Sequence, residues 1–400
     1  MTSKPAKTGP ETSVLSLICV GHFVSHYSQL VLPPLFPLMQ SDFNVGYASL
    51  GIMITLINTS GAMAQLPIGF FVDYFGAKKI LLSGLLIKTF SIGAMALTNS
   101  YEFLLILSLF AGLGHAVFHP ADYSILMSSM KKNQMGKAFS IHTASGTAGG
   151  AVAPLVIVTI AQVWNWKIAV LSVALLGGVT GIAMLVWGNI LHDHIRSKTN
   201  KISQKNTRVL DSLRLLLAPN VLVLYIFFIT TAMISIGLNT YIVTTLVELH
   251  HIPLHLAGII LTIFLIFGVL GILFGGYLAD ITEKHNLIAA SSFLLSSFII
   301  VLIGTFKLSL TLLIFCFSLV GFFLGLVRPA RDMMVRAITP DGDAGKMFGF
   351  MSTGHLMGGV LVPVLYGWVI DQGHVQWVFW ITAIFMILAL LALCIPAKRC

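Results

Sequence analysis

Long apolar stretches alternate with short polar segments along almost the whole chain. Because a helix needs about 20 consecutive apolar residues to cross the hydrocarbon core of a bilayer, each stretch is predicted to be one transmembrane helix. The pattern therefore predicts an all-α integral membrane protein with twelve spans. The predicted spans are 14–39, 46–71, 79–98, 101–129, 138–162, 166–191, 216–246, 255–279, 286–306, 308–334, 346–370 and 375–395.

The longest polar stretch covers residues 192–214, between spans six and seven. It is basic, rich in Ser, Asn and Lys, and has no hydrophobic period, which is typical of a linker. The chain is therefore predicted to consist of an N-terminal six-helix half (residues 1–191), a cytoplasmic linker (192–214) and a C-terminal six-helix half (215–400). The first apolar run is too long for the core of a signal peptide and is predicted to be an uncleaved span.

Composition supports this interpretation, with 57% hydrophobic and only 9% charged residues. Eighteen of the 23 Lys and Arg residues lie in loops on one predicted side of the membrane, and only Lys167 and Lys307 lie in loops on the other. The positive-inside rule then predicts a multi-pass protein of the bacterial inner membrane with both termini in the cytoplasm. This distribution also explains the net charge of +9 without nucleic acid as a partner.

The two halves carry an internal repeat. Residues 112–154 align without gaps on residues 321–363, so that Pro120 matches Pro329 and Pro154 matches Pro363. Six spans per half give both copies the same orientation, so the repeat is parallel and the halves are predicted to be pseudo-symmetric. Such a repeat is found in carriers whose two halves rock about a site near the middle of the membrane.

The loop after span two contains a Gly, an Asp four residues later, a second Gly and then basic residues: Gly69, Asp73, Gly76, Lys78 and Lys79. This segment resembles the signature loop of the major facilitator superfamily, and the resemblance covers essentially the whole chain. The run 112–120 also resembles the fosmidomycin-resistance branch, whose fourth helix has a similar Val-Phe-His-Pro element.

The resemblance implies a cytoplasmic gate at this loop. An Asp at the end of one helix can bind the positive N-terminus of a neighbouring helix, while Gly permits close approach and a tight turn. The second half keeps Gly276 and Asp280 of this signature but lacks the second Gly. Asp280 is therefore assigned to the gate together with the five residues of the first loop, although an ordinary interfacial turn would also fit.

Ionisable residues at membrane depth are costly and usually face a cavity or a partner. On span four, His115, His119 and Asp122 are spaced i, i+4 and i+7, and on span ten Arg328 and Arg331 share a face. The repeat aligns Asp122 with Arg331 and His119 with Arg328. These residues are predicted to form part of the transport site, although an Asp122–Arg331 ion pair that only holds the halves together is an alternative.

Span one adds His22, His26 and Tyr27, span three adds Lys88, and His142 and His355 lie on spans five and eleven. Histidine titrates near neutral pH, so proton coupling is assigned to Asp122, His115 and His22. Substrate binding is assigned to Arg328, Arg331, His119, Lys88, His26 and Tyr27. Hydrogen bonding between helices is the simpler role for any single histidine.

Cations outnumber acids among these residues, which favours an anionic substrate because Arg binds carboxylates and phosphonates in a bidentate manner. The sequence predicts a monomeric secondary transporter that moves a small organic anion or zwitterion, drug-like or siderophore-like, by proton-coupled alternating access. No enzymatic activity, cofactor or structural metal is predicted. Alternatives are a carrier of a transition metal or metal chelate, since i, i+4 His pairs can chelate without an evident third ligand, and a channel-like or sensor protein.

Overall fold

The computed structural model describes residues 10–131, 134–191, 215–339 and 344–394. Within these ranges every regular element is helical, and there is no β-strand. The α-helices are α1 Pro10–Gln29, α2 Phe36–Phe43, α3 Tyr47–Phe75, α4 Ala77–Ala94, α5 Tyr101–His115, α6 Phe118–Ser129, α7 Met135–Val163, α8 Trp166–Trp187, α9 Pro219–His250, α10 Leu254–Ile281, α11 His285–Thr305, α12 Leu310–Ile338, α13 Ala344–Asp371 and α14 Trp377–Cys394.

Ten helical segments of the described chain are long and apolar enough to cross a membrane, and two shorter apolar helices occur within α13 and α14. Together they match the twelve predicted spans, which confirms the all-α transmembrane fold class. The predicted linker at residues 192–214 lies outside the described residues, so its role stays a prediction.

Two of the predicted spans are present but are interrupted by short breaks in the helix, which the sequence analysis did not predict. In span one, α1 ends at Gln29, and Pro33 and Pro34 open a 3-10 turn before α2. In span four, α5 ends at His115 and α6 begins at Phe118. Proline has no amide hydrogen to donate to the preceding turn, so Pro33, Pro34 and Pro120 explain why both helices break where they do.

The structure forms two compact units. The first comprises the described residues of Met1–Val31, Thr59–Ala153 and Ile160–Lys201. In this unit α4 and α5 touch through their backbones, because a Cβ on Gly84 would overlap the carbonyl oxygen of Gly114 and a Cβ on Gly114 would overlap the backbone of Lys88. Small residues of this kind allow close helix packing in membranes.

The second unit comprises the described residues of Leu32–Asn58, Pro154–Thr159 and Ile202–Cys400. Its helices α10 and α12 approach closely at Gly271 and Gly325, where a Cβ would overlap the facing backbone. The buried phenylalanines Phe227, Phe293 and Phe317 pack in its core. The beginning of α3, which precedes the first half's gate loop in sequence, belongs to this unit.

Candidate functional site

A buried cluster of ionisable side chains lies inside the first unit. Its members come from five helices, so that residues far apart in sequence meet in one place. We call it the histidine cluster, and it consists of His22 and His26 on α1, Lys88 on α4, His115 on α5, His119 and Asp122 on α6, and His142 on α7.

At one end of the histidine cluster, two imidazoles bind one carboxylate. His22 Nδ1 lies 3.1 Å and His142 Nε2 lies 2.9 Å from Oδ2 of Asp122. The Asp122 and His142 side chains have no solvent exposure, and the other carboxylate oxygen, Oδ1, has no hydrogen-bond partner among the described residues. If either imidazole is protonated, the contact becomes an ion pair in a low-dielectric environment, where electrostatic interactions are strong.

At the other end of the cluster, Lys88 is almost fully buried, with 1% exposure. Its Nζ donates to the carbonyl oxygen of Ser25 at 2.5 Å, and it lies 3.0 Å from Nδ1 of His115. No carboxylate forms an ion pair with Lys88 in the part of the chain that the structure describes. Burial of an ammonium without a counter-ion costs several kcal/mol, so Lys88 is held in an energetically unfavourable position.

Stacked and tilted imidazole rings join the two ends. The ring centroid of His22 lies 3.7 Å from that of His142, 4.7 Å from that of His26 and 5.5 Å from that of His119. His26 in turn lies 6.5 Å from His115, which contacts Lys88. The rings therefore form a continuous series from the carboxylate to the ammonium.

Gly146 on α7 makes room for this series. A Cβ at this position would overlap the rings of both His22 and His26. A glycine here therefore allows α1 and α7 to approach with two imidazoles between them. Glycine spacing on span five was visible in the sequence, and the structure shows that it accommodates the cluster.

The structure brings together most of the residues that the sequence singled out in the first half. His22, His26, Lys88, His115, His119 and Asp122 all belong to the histidine cluster. Tyr27 does not: it is buried, and its ring stacks on Phe23 at 6.3 Å. Sequence reasoning assigned no role to Ser25, and it noted His142 without assigning it to the site. His142 lies one helical turn before Gly146, and this nearness to a small residue was the sequence feature that could have assigned His142 to the site.

Asp122 and Arg331, the ion pair considered as an alternative from sequence, each have contacts inside their own unit. Asp122 is bound by His22 and His142, whereas Arg331 is bound by its neighbour Asp332.

In the second unit, the two predicted arginines line a small recess, which we call the arginine recess. Arg331 Nη2 lies 3.0 Å and Nε lies 3.1 Å from Oδ1 of Asp332, and the guanidinium lies 4.3 Å from the ring centre of Phe228. Arg328 has no ion-pair partner in the described chain. The recess is lined by Thr231, Ile234, Ser235, Phe293, Leu324, Val327, Arg328 and Arg331.

The predicted gate loop has the expected tight turn but not the expected close approach of helices. Gly76 has a φ of 92° and precedes α4, so it forms the tight turn for which glycine was predicted. Gly69 and Gly276 have no atom within 4 Å of a Cβ position, so the predicted close helix approach is not found at either glycine.

The acidic and basic residues of the gate loops lie at the surface. Asp73, Lys79 and Asp280 are exposed, and Lys78 is half-buried with its side chain against Gly188. The role of these four residues in a gate stays a prediction.

Three groups could also hold a metal ion. One ligand atom from each of His22, Asp122 and His142 lies within 4.8 Å of the others. This set differs from the i, i+4 His pairs considered from sequence: it combines one His of span one with residues of α6 and α7 rather than two His of one helix.

The sequence profile of the Major Facilitator Superfamily matches residues 18–253 and 231–399, which together cover nearly the whole chain. The chain belongs to the Major Facilitator Superfamily. The resemblance found in the gate loop is thereby confirmed, and this superfamily member is a multi-pass membrane protein that carries small molecules.

Several relatives show the breadth of this superfamily. The fosmidomycin resistance protein of Escherichia coli (strain K12) is 24% identical over 96% of this chain and 93% of its own length. The probable sulfoacetate transporter SauU of Cupriavidus necator is 24% identical over 90% of this chain and 87% of its own length. The structure of a bacterial homologue of the human lysosomal transporter Spinster has a TM-score of 0.81 at 14% identity, covering 100% of this chain and 98% of that one. The last similarity concerns the fold alone.

Proposed function

We propose that this superfamily member is a monomeric, proton-coupled secondary transporter of a small organic anion or zwitterion, acting by alternating access in the bacterial inner membrane. The observation that carries the proposal is the buried histidine cluster with its bound carboxylate. The eighteen-to-two distribution of Lys and Arg supports cytoplasmic termini. A drug-like, carboxylate, phosphonate or siderophore-like cargo fits the charges described below.

The histidine cluster is suited to take up and release protons. Histidine is the side chain whose charge ordinarily changes between about pH 5 and 8. Protonation of His22 or His142 would create an imidazolium directly against the Asp122 carboxylate, at distances of 3.1 and 2.9 Å. Because α1, α6 and α7 each contribute one of these groups, a proton gained or lost changes the contacts among three helices. We infer that this is how proton movement is coupled to helix movement.

The arginine recess is suited to bind an anion. Arg328 has no ion-pair partner among the described residues, while Phe228 and Asp332 hold the guanidinium of Arg331 in place. Thr231 and Ser235 add hydroxyl groups to the lining. A planar guanidinium with free N–H groups matches carboxylate, sulfonate and phosphonate oxygens. One relative is named as a probable transporter of sulfoacetate, which supports an anionic substrate class.

The gate loop is proposed to act as predicted from sequence. The positive φ of Gly76 supports a tight turn that places Asp73 at the end of α3, close to the basic residues Lys78 and Lys79. A carboxylate at this point can bind the N-terminus of another helix. Asp280 is proposed as its second-half counterpart.

A transition metal is the second candidate cargo, because His22, Asp122 and His142 supply three suitable ligand atoms. The contact distances of 3.1 and 2.9 Å are close to the roughly 3.3 Å that separates ligands in a tetrahedral zinc site. Saturable uptake of Zn²⁺ or Co²⁺ into proteoliposomes, lost in His142→Gln, would establish this alternative.

The proposal is tested by reconstituting the purified protein in proteoliposomes and screening carboxylates, sulfonates and phosphonates, including sulfoacetate and fosmidomycin, for transport driven by a pH gradient. His22→Gln should remove the gradient dependence, and Arg328→Ala should raise the half-saturating substrate concentration. His374→Gln and Arg336→Ala change exposed residues outside both sites and serve as matched controls. Transport that is equally fast with and without a gradient, and equally fast in both site variants, would refute the proposal.

A further inference from the structure

The first turn of α3 and the last residue of α13 meet in the second unit. The backbone N–H of Tyr47 donates to Oδ1 of Asp371 at 2.6 Å, and that of Ala48 donates to Oδ2 at 2.9 Å. The first N–H groups of a helix have no partner within the helix, and they carry the positive end of its dipole. Asp371 thus caps α3 with a carboxylate from 324 residues away in sequence.

Further contacts surround this cap. The hydroxyl of Tyr47 donates to Glu248 at 2.7 Å, so α9 is joined to the same turn. The hydroxyl of Tyr241, on the fully buried part of α9, lies 3.0 Å from the carbonyl oxygen of Tyr47 and 2.7 Å from that of Pro363. Three helices therefore converge on one turn of backbone.

Glycines let the backbones approach at this point. A Cβ on Gly46 would overlap the carboxylate of Asp371, one on Gly367 would overlap the backbone of Tyr47, and one on Gly51 would overlap the carbonyl of Pro363. The close contact thus depends on small residues on both sides. It extends two turns further along α3, where the Thr55 hydroxyl donates to the carbonyl oxygen of Val360 at 2.7 Å.

We propose that these contacts form a latch that holds the protein closed at the membrane face opposite the chain termini. The latch consists of Asp371, Tyr47, Ala48, Glu248 and Tyr241. Its α3 residues belong by sequence to the first six-span half, and its α9 and α13 residues belong to the second half. This inference rests on the alternating access of the proposed function, which requires the contacts between halves to break at each face in turn.

The contacts of the latch can break without unfolding either helix. Its strongest contact is made by an exposed carboxylate on two backbone N–H groups, which water can replace when the helices separate. The contacts behind it, at Gly51 and Gly367, are close approaches to backbone atoms of Pro363 and Tyr47, and the glycines contribute no side chain that would interlock. Removal of the charge should therefore shift the protein toward the open state without unfolding either helix.

The test measures access to Thr55, which lies behind the latch. In a variant whose four cysteines are replaced by serine, Thr55→Cys is labelled on intact cells with a membrane-impermeant maleimide. Asp371→Asn keeps the side-chain size but loses the charge, and it should raise the labelling rate at least about tenfold, because charge-assisted hydrogen bonds are roughly twice as strong as neutral ones. Glu102→Gln, which removes an exposed acid near the start of α5, is the matched control and should leave the rate unchanged.

A second variant weakens the latch in a different way, so that the result does not depend on the folding of one variant. Ala48→Pro removes one of the two N–H donors and leaves every charge in place, and proline is tolerated in the first turn of a helix. It should also raise labelling, by a smaller factor than Asp371→Asn. Gel filtration should show that each variant is monodisperse.

Labelling rates within twofold of the parent in both latch variants would refute the proposal that these contacts form a latch. The readout needs no substrate and no pH gradient. A failure of the latch is therefore distinguishable from a failure of proton-coupled transport, which would leave the labelling result intact.

Discussion

Replacing Asp122 by Asn is the perturbation whose effect can be worked out most fully from the structure. The amide has the size of the carboxylate but no charge, so it leaves the packing of α6 unchanged and alters only the contacts of Oδ2 with His22 and His142. In the parent protein, a proton taken up by either imidazole is stabilised by the adjacent carboxylate. In the variant, the same proton has only a neutral amide oxygen as its partner.

The magnitude follows from one of the two contacts. A hydrogen bond to a charged group contributes about 1.5–3 kcal/mol and a neutral one about 0.5–1.5 kcal/mol, so the contact of the protonated imidazole loses about 1 kcal/mol. Since about 1.4 kcal/mol corresponds to a factor of ten, the cluster should hold its proton about fivefold less tightly. The proton concentration that gives half-maximal transport should rise by the same factor.

The assay compares initial transport rates in proteoliposomes across a series of external pH values for the parent, Asp122→Asn and Glu102→Gln. Exchange of labelled for unlabelled substrate, which needs no net proton movement, should persist in Asp122→Asn. A shift of less than threefold in the half-maximal proton concentration, with accumulation unchanged, would refute the role assigned to Asp122.

Three further predictions concern the other features. Arg328→Ala should raise the half-saturating substrate concentration at least about tenfold through loss of a charge-assisted hydrogen bond, whereas Arg336→Ala should not; a substrate titration of transport separates the two. Asp332→Asn raises the charge of the arginine recess by one unit, so in competition assays it should shift preference toward dianions; an unchanged ranking of mono- and dianions would contradict this. Gly146→Val would force a side chain against His22, and overpacking of this kind should destabilise the protein by about 1–3 kcal/mol, seen as a lower melting temperature in detergent.

Much of the fold could be predicted from sequence because bilayer thickness fixes the length of each apolar segment. The interruptions of spans one and four were missed although Pro33, Pro34 and Pro120 are visible in the sequence. Hydropathy averages over a window, and proline inside a transmembrane helix is often tolerated, so the breaks could not be told from mild bends.

Only those site residues that share one helix could be predicted to lie together. His115, His119 and Asp122 share a helical spacing, which local periodicity can detect. The contact between His22 and Asp122 joins residues 100 positions apart, and that between Tyr47 and Asp371 joins residues 324 apart. Such contacts depend on how helices pack, which no local pattern encodes. The sequence predicted a carboxylate bound to a helix N-terminus at Asp73, and the structure shows this chemistry at Asp371.

The central claim is that the histidine cluster couples proton movement to substrate movement. The most direct measurement records both fluxes at once in proteoliposomes, with a pH-sensitive dye inside and a labelled organic anion that the transport screen has identified as a substrate. Adding substrate should move protons in a fixed ratio to substrate, and at a given pH the proton signal should be smaller in Asp122→Asn while exchange continues. Substrate flux with no accompanying proton movement in the parent protein would contradict it.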